Sequence, residues 1–441
     1  MWHRSPVPPL ALALLAGACT RPPAAVLDPK HTLVELQRAP ARIPEGDLAS
    51  ALTRLAWKDH PDLALAEAEL GAARAGILTA MARPNPSFGF GATRAEGVPQ
   101  PWTLTYGLNL PIETGGKRDL RLRQARLQVE LSQLQVADTA WKLRMDVRRS
   151  LVDWLQAREA ASAADQEAAL RAAFFKLQQR RSALGEIGTP EATLAALEAQ
   201  RAAAARFTAQ AEVRRAASAL ALAAGVSQAT LEDRLRSEPP VDLTLPPPLP
   251  ASEADALIHR LDIRRTLLAW EQNETTLRQE LALRVPNVQL GPGYSFDQGV
   301  KKWILGFTVD LPLFDRRQGP IAEAVARRKV IAAQLRQEEQ RALSEADLAA
   351  ARLADARERL KAQVEALAAQ EARLAAAKRN VDLGGLDQAG WLTARLEATQ
   401  ARSLAVEAWA EAQRARLAVE GAYQKPLDPA EHPFRLDGVA P

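Results

Sequence analysis

An internal repeat is the feature that most constrains what this chain can fold into. Residues 108–118, with the sequence LNLPIETGGKR, return as residues 309–319, with the sequence VDLPLFDRRQG. Agreement at several further places is hard to obtain by chance, so the chain consists of two copies of one unit offset by about 200 residues. The other matched positions are Pro86 with Pro286, Pro111 with Pro312, Asp62 with Asp262, and Leu197-Glu198-Ala199 with Leu396-Glu397-Ala398.

Two stretches without glycine or proline predict two very long helices. Residues 117–184 and 321–383 are dense in Ala, Leu, Glu, Gln and Arg, which are strong helix formers. At 1.5 Å per residue they make rods of about 100 and 95 Å, too long for the inside of one compact domain. In the second rod an apolar residue recurs every seven positions, the spacing of a supercoil seam. The seam residues are Leu353, Leu360, Leu367, Leu374 and Val381.

Each repeat also predicts two shorter helices. They lie at 48–82 and 191–224 in the first repeat and at 252–284 and 391–421 in the second. The summed length of each pair nearly equals the length of the long helix in the same repeat. We therefore expect two short helices to lie in line beside one long helix, which makes a wall of uniform height.

Two strands are predicted between the first short helix and the long helix of each repeat. Residues 88–93 and 102–110, and again 288–296 and 303–311, carry alternating apolar and small or polar side chains. Period two with aromatic and β-branched residues on one face is typical of strands. Runs of about nine or ten residues are long enough for a tilted strand to cross a bilayer. An ordinary amphipathic hairpin on a soluble core is the alternative interpretation.

Four membrane-spanning strands would require several copies of the chain. A sheet in lipid has to close on itself, because an open edge leaves backbone groups unpaired. Closed membrane barrels need at least about eight strands, so three copies with about twelve strands satisfy the requirement. The predicted fold is mainly α with a small β part, and its two structural repeats contribute four strands per chain to a trimeric, twelve-stranded β-barrel.

The amino terminus predicts export. A short basic start is followed by an apolar run that ends in small residues at position 18, as in a signal peptide. The only cysteine, Cys19, follows at once, and residues 15–19 (LAGAC) resemble a lipoprotein box in which Cys19 would carry a covalent lipid. In the lipoproteins that this segment resembles, Thr20 rather than Asp after the cysteine implies sorting to the outer membrane. An ordinary cut after the A-x-A of Ala16 and Ala18 is the alternative.

Composition argues against several other functions. The formal charge of +4 comes from 57 basic and 53 acidic residues that are interleaved along helices, so nucleic-acid binding is not expected. We find no nucleophile, base and orienting group in a catalytic arrangement, and we expect no enzyme activity and no cofactor. The five histidines are not spaced as metal ligands are, so we expect no metal site. They are His3, His31, His60, His259 and His432.

The repeated motif resembles the TolC-like outer membrane factor family, over about residues 48–423. Residues 110–118 and 311–321 are most similar to its cobalt-zinc-cadmium (CzcC-type) branch. The resemblance implies a homotrimeric outer-membrane channel of a tripartite efflux pump, in which a long α-helical barrel continues the twelve-stranded β-barrel into the periplasm. It also implies a periplasmic adaptor protein, an inner-membrane transporter of the RND type, and heavy-metal cations as substrate. Drugs or other small molecules as substrate, and a lipid-tethered coiled-coil adaptor in place of a channel, remain the alternatives.

The same resemblance assigns roles to the tips of the helical hairpins. In this family the tips form the periplasmic entrance and bind the adaptor. The corresponding residues are Leu184, Gly185 and Glu186 in the first repeat and Leu383, Gly384 and Gly385 in the second. The best-known member narrows its entrance with two aspartates; the matching positions are Gly390 and Thr393, and the nearby acids are Glu186 and Asp387.

These inferences divide the chain into six segments. A proline-rich stretch cannot be helical and links the two repeats. The segments are 1–18, a signal peptide; 19–47, a lipid-anchored tail; 48–235, the first repeat; 236–251, the linker; 252–425, the second repeat; and 426–441, a carboxyl-terminal tail.

Overall fold

The structure is a computed structural model, which describes residues 28–30, 43, 46–247, 257 and 260–428. The predicted signal peptide, Cys19 and the carboxyl-terminal residues 429–441 lie outside the described residues. The elements, in chain order, are α1 (Leu48–Asp59), α2 (Pro61–Met81), β1 (Ser87–Arg94), β2 (Trp102–Ile112), α3 (Lys117–Ala183), α4 (Thr189–Ala224), α5 (Gln228–Arg236), α6 (Leu261–Leu283), β3 (Val288–Asp297), β4 (Val300–Val309), α7 (Gln318–Asp382) and α8 (Gln388–Tyr423).

Both long helices are present, as α3 with 67 residues and α7 with 65. The prediction that the second begins at residue 321 was wrong, because α7 begins at Gln318 and includes Pro320 in its first turn. Proline is tolerated there, since the first amide groups of a helix have no partner within the helix. Within the described residues, no helix is both long enough and apolar enough to cross a membrane.

The shorter helices flank the long ones as expected, since α1, α2 and α4 contact α3, and α6 and α8 contact α7. The predicted single helix at 48–82 was wrong: it is two helices separated at His60, because Pro61 occupies the first helical position of α2. The helix predicted at 252–284, the first short helix of the second repeat, is α6 and is described from Leu261. Residues 252–256 of its predicted start lie outside the described part. Helix α5 was not predicted.

The core follows the predicted seam. Leu353, Leu360 and Leu367 are buried, and Leu374 and Val381 nearer the tip are half-buried. Around the seam, α7, α8 and α3 bring together mostly small apolar side chains, with Trp409 as the largest. Alanine lets helices approach closely, which suits a wall that is only a few helices thick.

The four strands form one antiparallel sheet in the order β1-β2-β3-β4. Phe90 lies opposite Tyr106, and Tyr106 lies opposite Tyr294. Strand β4 ends at Val309, two residues short of the prediction, whereas β2 runs to Ile112. The cause is position in the sheet, because β2 has a partner on both sides and β4 has a partner on one side only.

Candidate functional site: sheet, junction and hairpin tips

One face of the sheet is covered by exposed aromatic side chains. Phe90, Tyr106, Tyr294 and Trp303 form a row across all four strands, with ring centroids 5.3, 6.3 and 5.1 Å apart. Trp303 is 86% exposed and Phe307 is 77% exposed. Large exposed apolar surfaces of this kind mark contact with a membrane or another protein.

The opposite face of the sheet is polar along β2 and β3. Thr103 Oγ1 donates to Asp297 Oδ1 at 2.8 Å, and Asn109 Nδ2 donates to Gln289 Oε1 at 3.2 Å. These pairs lie on the alternate positions of β2 and β3, so they face away from the aromatic row. A sheet with one apolar and one polar face matches the wall of a water-filled membrane barrel, in which the lumen is polar.

The junction between sheet and helices is tied by Lys117, at the start of α3. Its ammonium donates to the Val285 carbonyl at 2.6 Å and to Asn287 Oδ1 at 2.5 Å. Thr114 Oγ1 donates to the Pro286 carbonyl at 2.5 Å. Burial lowers the pKa of Lys117. The repeated motif therefore fastens the first repeat to the turn that precedes β3, a role that the sequence analysis did not assign.

An ion pair between Arg121 and Glu113 lies close to this junction. Both guanidinium nitrogens at the end of Arg121 contact the two carboxylate oxygens of Glu113, one of them at 3.0 Å. These hydrogen bonds hold the pKa of Glu113 below its ordinary value, against an opposing effect of burial. The same guanidinium also donates to the Ala82 carbonyl at the end of α2, so the pair joins α2, β2 and α3.

The matched residues Asp62 and Asp262 lie in the first turns of α2 and α6, where polar contacts fix the helix starts. In the second repeat, Arg260 is 3% exposed and donates to Asp262 at 2.7 Å, to Glu345 at 2.8 Å and to the Ala422 carbonyl at 2.7 Å. The Leu261 amide donates to Gln424 Oε1 at 2.6 Å. The end of α8 is thereby fixed to the start of α6.

At the equivalent position, the first repeat fixes the start of α2 mainly by packing. His60 is buried between α1 and α2, and its Nδ1 accepts from the Asp62 amide at 3.2 Å. Gly225 ends α4 with a φ of 68°, and a β-carbon on it would approach the His60 ring to 2.9 Å. Glycine is required here both by the left-handed backbone and by the close approach.

A buried ion pair joins the two repeats. Arg144 Nη2 in α3 lies 2.7 Å from Glu420 Oε2 in α8, and each side chain is 1% exposed. The sequence analysis missed this pair among many exposed charges. A usable signal was present, because Arg144 stands at helical spacing from Ala140, Val147 and Leu151, all of which are buried.

The carboxyl group of Asp262 leads to a prediction about how stability depends on pH. Burial tends to raise the pKa of Asp262, but hydrogen bonds from Arg260 and Arg341 lower it overall, below the ordinary 3.8. The folded chain then binds fewer protons, so the stabilisation is complete above about pH 4 and is lost as the pH falls through the folded-state pKa. We expect Asp262→Asn to cost about 1.5–3 kcal/mol at pH 7 and to flatten this acid limb.

Unfolding midpoints measured by circular dichroism between pH 7 and pH 3 check this expectation. Asp233→Asn is the matched control, because the Asp233 side chain is 90% exposed. An acid limb equally steep in Asp262→Asn and in the control would contradict the assignment.

Both predicted tips end in the same backbone arrangement. The Gly185 amide donates to the Ser182 carbonyl at 3.0 Å, and the Glu186 amide donates to the Arg181 carbonyl at 2.9 Å. In the second repeat Gly384 donates to Val381 at 3.0 Å, and Gly385 donates to Asn380 at 2.8 Å. Gly185 and Gly384 each have a φ of 75°, which only glycine adopts without cost. Leu184 and Leu383 beside them are 75% and 84% exposed.

The four gate candidates all lie at these tips and have local partners. Glu186 accepts from Arg181 Nε at 3.2 Å, and Asp387 Oδ1 caps α8 by accepting from the Gly390 amide at 2.8 Å. Thr393 Oγ1 donates back to the Ala389 carbonyl at 3.0 Å. Each residue has a structural role at its helix end, and a role in gating stays a prediction.

Within the part of the chain that the structure describes, no group of three or more His, Cys, Asp or Glu side chains has the geometry of a metal site.

Comparison with known proteins places these features in context. The model of the family "Outer membrane efflux protein" matches residues 52–226. The cobalt-zinc-cadmium resistance protein CzcC of Cupriavidus metallidurans is 31% identical over 290 residues, which are 63% of this chain and 66% of CzcC. The chain thus spans slightly less than two thirds of that relative.

Solved structures agree with the fold. The outer membrane protein VceC of Vibrio cholerae superposes with a TM-score of 0.67 at 20% identity, over 86% of this chain and 97% of VceC. CusC, whose structures concern folding and transmembrane channel formation, superposes with a TM-score of 0.69 at 17% identity, over 87% of this chain and 94% of CusC. The mainly helical fold with a four-stranded sheet is therefore that of known outer-membrane channel subunits.

Proposed function

Because this chain belongs to the outer membrane efflux protein family, we propose that it is the outer-membrane channel of a tripartite efflux pump. In this proposal it is a passive conduit from the periplasm, or from an inner-membrane transporter of the RND type, to the outside. We also propose that the chain has no enzyme activity and binds no cofactor.

The observation that carries the proposal is the two-faced sheet with two free edges. Among the described residues, strands β1 and β4 each pair with one neighbouring strand. The aromatic row covers one face of the sheet, and the opposite face carries polar pairs on β2 and β3. Backbone groups cannot be left unpaired in lipid, so the sheet has to be closed by further copies. Three copies supply about twelve strands, which is within the known range of membrane barrels. The proposed assembly is a homotrimer in outer-membrane lipid.

The helices extend the proposed conduit into the periplasm. We propose the same six segments that the sequence predicts, with the repeats at 48–235 and 252–425. In this arrangement the tips at 184–186 and 383–385 lie at the end of α3 and α7 far from the sheet, where they are free to bind an adaptor protein. Glu186 and Asp387 are the acids nearest that entrance, with Gly390 and Thr393 beside them.

Heavy-metal cations are the proposed substrate, because the relative CzcC is named for cobalt, zinc and cadmium resistance. A conduit wetted by polar side chains needs no specific metal ligands. Drugs or other small molecules are the alternative substrate. Growth assays in a host without its own channel separate the two: restored tolerance to cobalt, zinc and cadmium supports the first, and restored tolerance to drugs alone contradicts it.

We further propose that Cys19 is acylated after removal of residues 1–18, which anchors the chain to the outer membrane. Mass spectrometry of the mature amino terminus tests this directly. A mature chain that begins with unmodified Cys19, or with a residue beyond it, would contradict acylation.

The channel itself is tested in planar lipid bilayers. Purified protein is expected to run as a heat-modifiable trimer on gels and to produce stepwise ion conductance. The rival hypothesis, a lipid-tethered coiled-coil adaptor, predicts protein without conductance and without a heat-modifiable trimer, and that result would overturn the proposal.

A further inference from the structure

Two cations lie on the aromatic face of the sheet, which is the face that carries the aromatic row. Arg94 follows Phe90 by four residues in β1, and Lys301 precedes Trp303 by two residues in β4. Residues separated by an even number along a strand point to the same face. Both cations are exposed, and both are displaced from the row toward the end of the sheet where the two hairpin turns lie.

These two cations differ from their neighbour on the other face in having no acid beside them. The four strands contain three cations, Arg94, Lys301 and Lys302, and one acid, Asp297. Lys302 points to the polar face, where its ammonium donates to Asp297 Oδ2 at 2.7 Å. Within the described residues neither Arg94 nor Lys301 forms an ion pair, although Glu96 lies in the turn after β1. The charge that is left unneutralised therefore lies on the aromatic face.

The two ends of the aromatic face are chemically different. Toward the helices, the aromatic face of the four described strands carries no cation, and it ends in a row formed by Ile112, Val288 and Val309. A cation on the lipid face of a barrel is strongly destabilising at the bilayer midplane and nearly neutral at the interface. The two cations therefore mark one boundary of the lipid contact, at the end with the hairpin turns.

The position of this boundary indicates which anion the cations meet. In the proposed channel the helices extend into the periplasm, so the hairpin turns lie at the outer surface. The outer leaflet of a bacterial outer membrane consists largely of a glycolipid with phosphate groups on its sugars. We infer that Arg94 and Lys301 bind the phosphate groups of this outer-leaflet glycolipid, through charge-assisted hydrogen bonds. The inference rests on the proposed function, and it adds the class of lipid and the residues that bind it.

Tryptophan side chains beside both cations support a position at the level of the lipid head groups. Trp102 lies opposite Arg94 and is 51% exposed, and Trp303, near Lys301, is 86% exposed. Indole rings favour the interface between lipid and water. Long cationic side chains can keep their methylene groups beside apolar surface while the charged group reaches the interface. The charged groups are thus placed where lipid phosphates are found.

Lipid binding to the purified full-length protein tests the inference. Bisphosphorylated lipid A is titrated into the protein in detergent, and bound lipid is counted by native mass spectrometry. Lys301→Gln is expected to weaken binding about fivefold, and Arg94→Gln with Lys301→Gln about twenty-five-fold, from the contribution of each cation near an anionic lipid surface. Lipid A without phosphate groups should bind the unsubstituted protein as weakly as bisphosphorylated lipid A binds the double variant.

The adjacent residue provides a matched control. Lys302→Gln makes the same chemical change as Lys301→Gln on the opposite face of the same strand, and it should change binding less than about twofold. The variant Arg94→Lys with Lys301→Arg keeps both charges and should keep the binding. Trimer formation and bilayer conductance should be the same in all of these variants.

The outcomes separate the lipid site from the channel. Equal weakening by Lys301→Gln and Lys302→Gln, or equal binding of lipid A with and without phosphate, overturns the inference. Displacement of lipid A by phosphatidylglycerol at equal concentration would assign the cations to phospholipid instead, and it also overturns the inference. If the double variant fails to fold, the comparison of the two forms of lipid A on the unsubstituted protein still decides. All these results leave the channel intact, whereas loss of trimer and conductance in the unsubstituted protein overturns the proposed function itself.

Discussion

Replacing Arg144 by Met is expected to destabilise the folded chain by about 3–5 kcal/mol. The reason is the environment of its partner, because Arg144 and Glu420 are each 1% exposed and 2.7 Å apart. Without the guanidinium, the buried Glu420 carboxylate loses its closest cation and keeps the longer contact with Arg416 Nε at 3.8 Å and the hydrogen bond from the Leu427 amide. The midpoint of denaturant unfolding, followed by helical circular dichroism, measures the loss.

Two controls isolate the buried charge. Arg414 and Asp153 join the same two helices at 2.7 Å, but they are 41% and 44% exposed, so Arg414→Met should cost at most about 1 kcal/mol. The double variant Arg144→Met with Glu420→Met removes both charges, and it should recover most of the stability. Equal costs for Arg144→Met and Arg414→Met would show that burial is not the cause.

If the chain is the proposed channel and its hairpin tips bind the adaptor, placing a charge on each tip is expected to uncouple the channel from its pump. Leu184 and Leu383 are 75% and 84% exposed, so Leu184→Glu with Leu383→Glu removes little packing within the chain. At a docking surface, however, two carboxylates would be taken out of water, which costs several kcal/mol. We expect the substrate tolerance that the channel confers to fall at least about tenfold, since each 1.4 kcal/mol lost corresponds to a factor of ten in binding.

The readouts distinguish docking from folding. Trimer formation and bilayer conductance should be unchanged in the charged variant, and Leu184→Met with Leu383→Met should keep full tolerance because the tips stay apolar. Full tolerance in the charged variant would rule out adaptor binding at these residues. Loss of the trimer would show that the tips have a structural role instead.

The sequence predicted the parts of the fold that follow from periodicity. The seam from Leu353 to Leu367 is buried, and all four strands are present because their alternation extends over enough residues to be unambiguous. The break at His60 was missed, although Pro61 was visible, because a proline inside a helical pattern is compatible with either a kink or a new helix.

The polar contacts of the site were harder to predict. Arg260 and Lys117 act on backbone carbonyls more than 160 residues away in the chain, at Ala422 and Val285. Carbonyl acceptors are present at every residue and leave no mark in the sequence. Glu420 was hidden for a related reason, since many acids of the helices pair with arginine at the surface, and only burial distinguishes this one.

The early end of β4 makes the stability of the folded sheet depend on the concentration of the protein. Within the described residues of one subunit, the outer edges of β1 and β4 have no strand partner, and in the proposed trimer another copy supplies one. Completion of the sheet is thus a step between molecules, whose equilibrium obeys mass action. In the proposed trimer, stability measured on dilute subunits would therefore understate that of the assembled ring, because neighbouring copies complete the sheet of each chain.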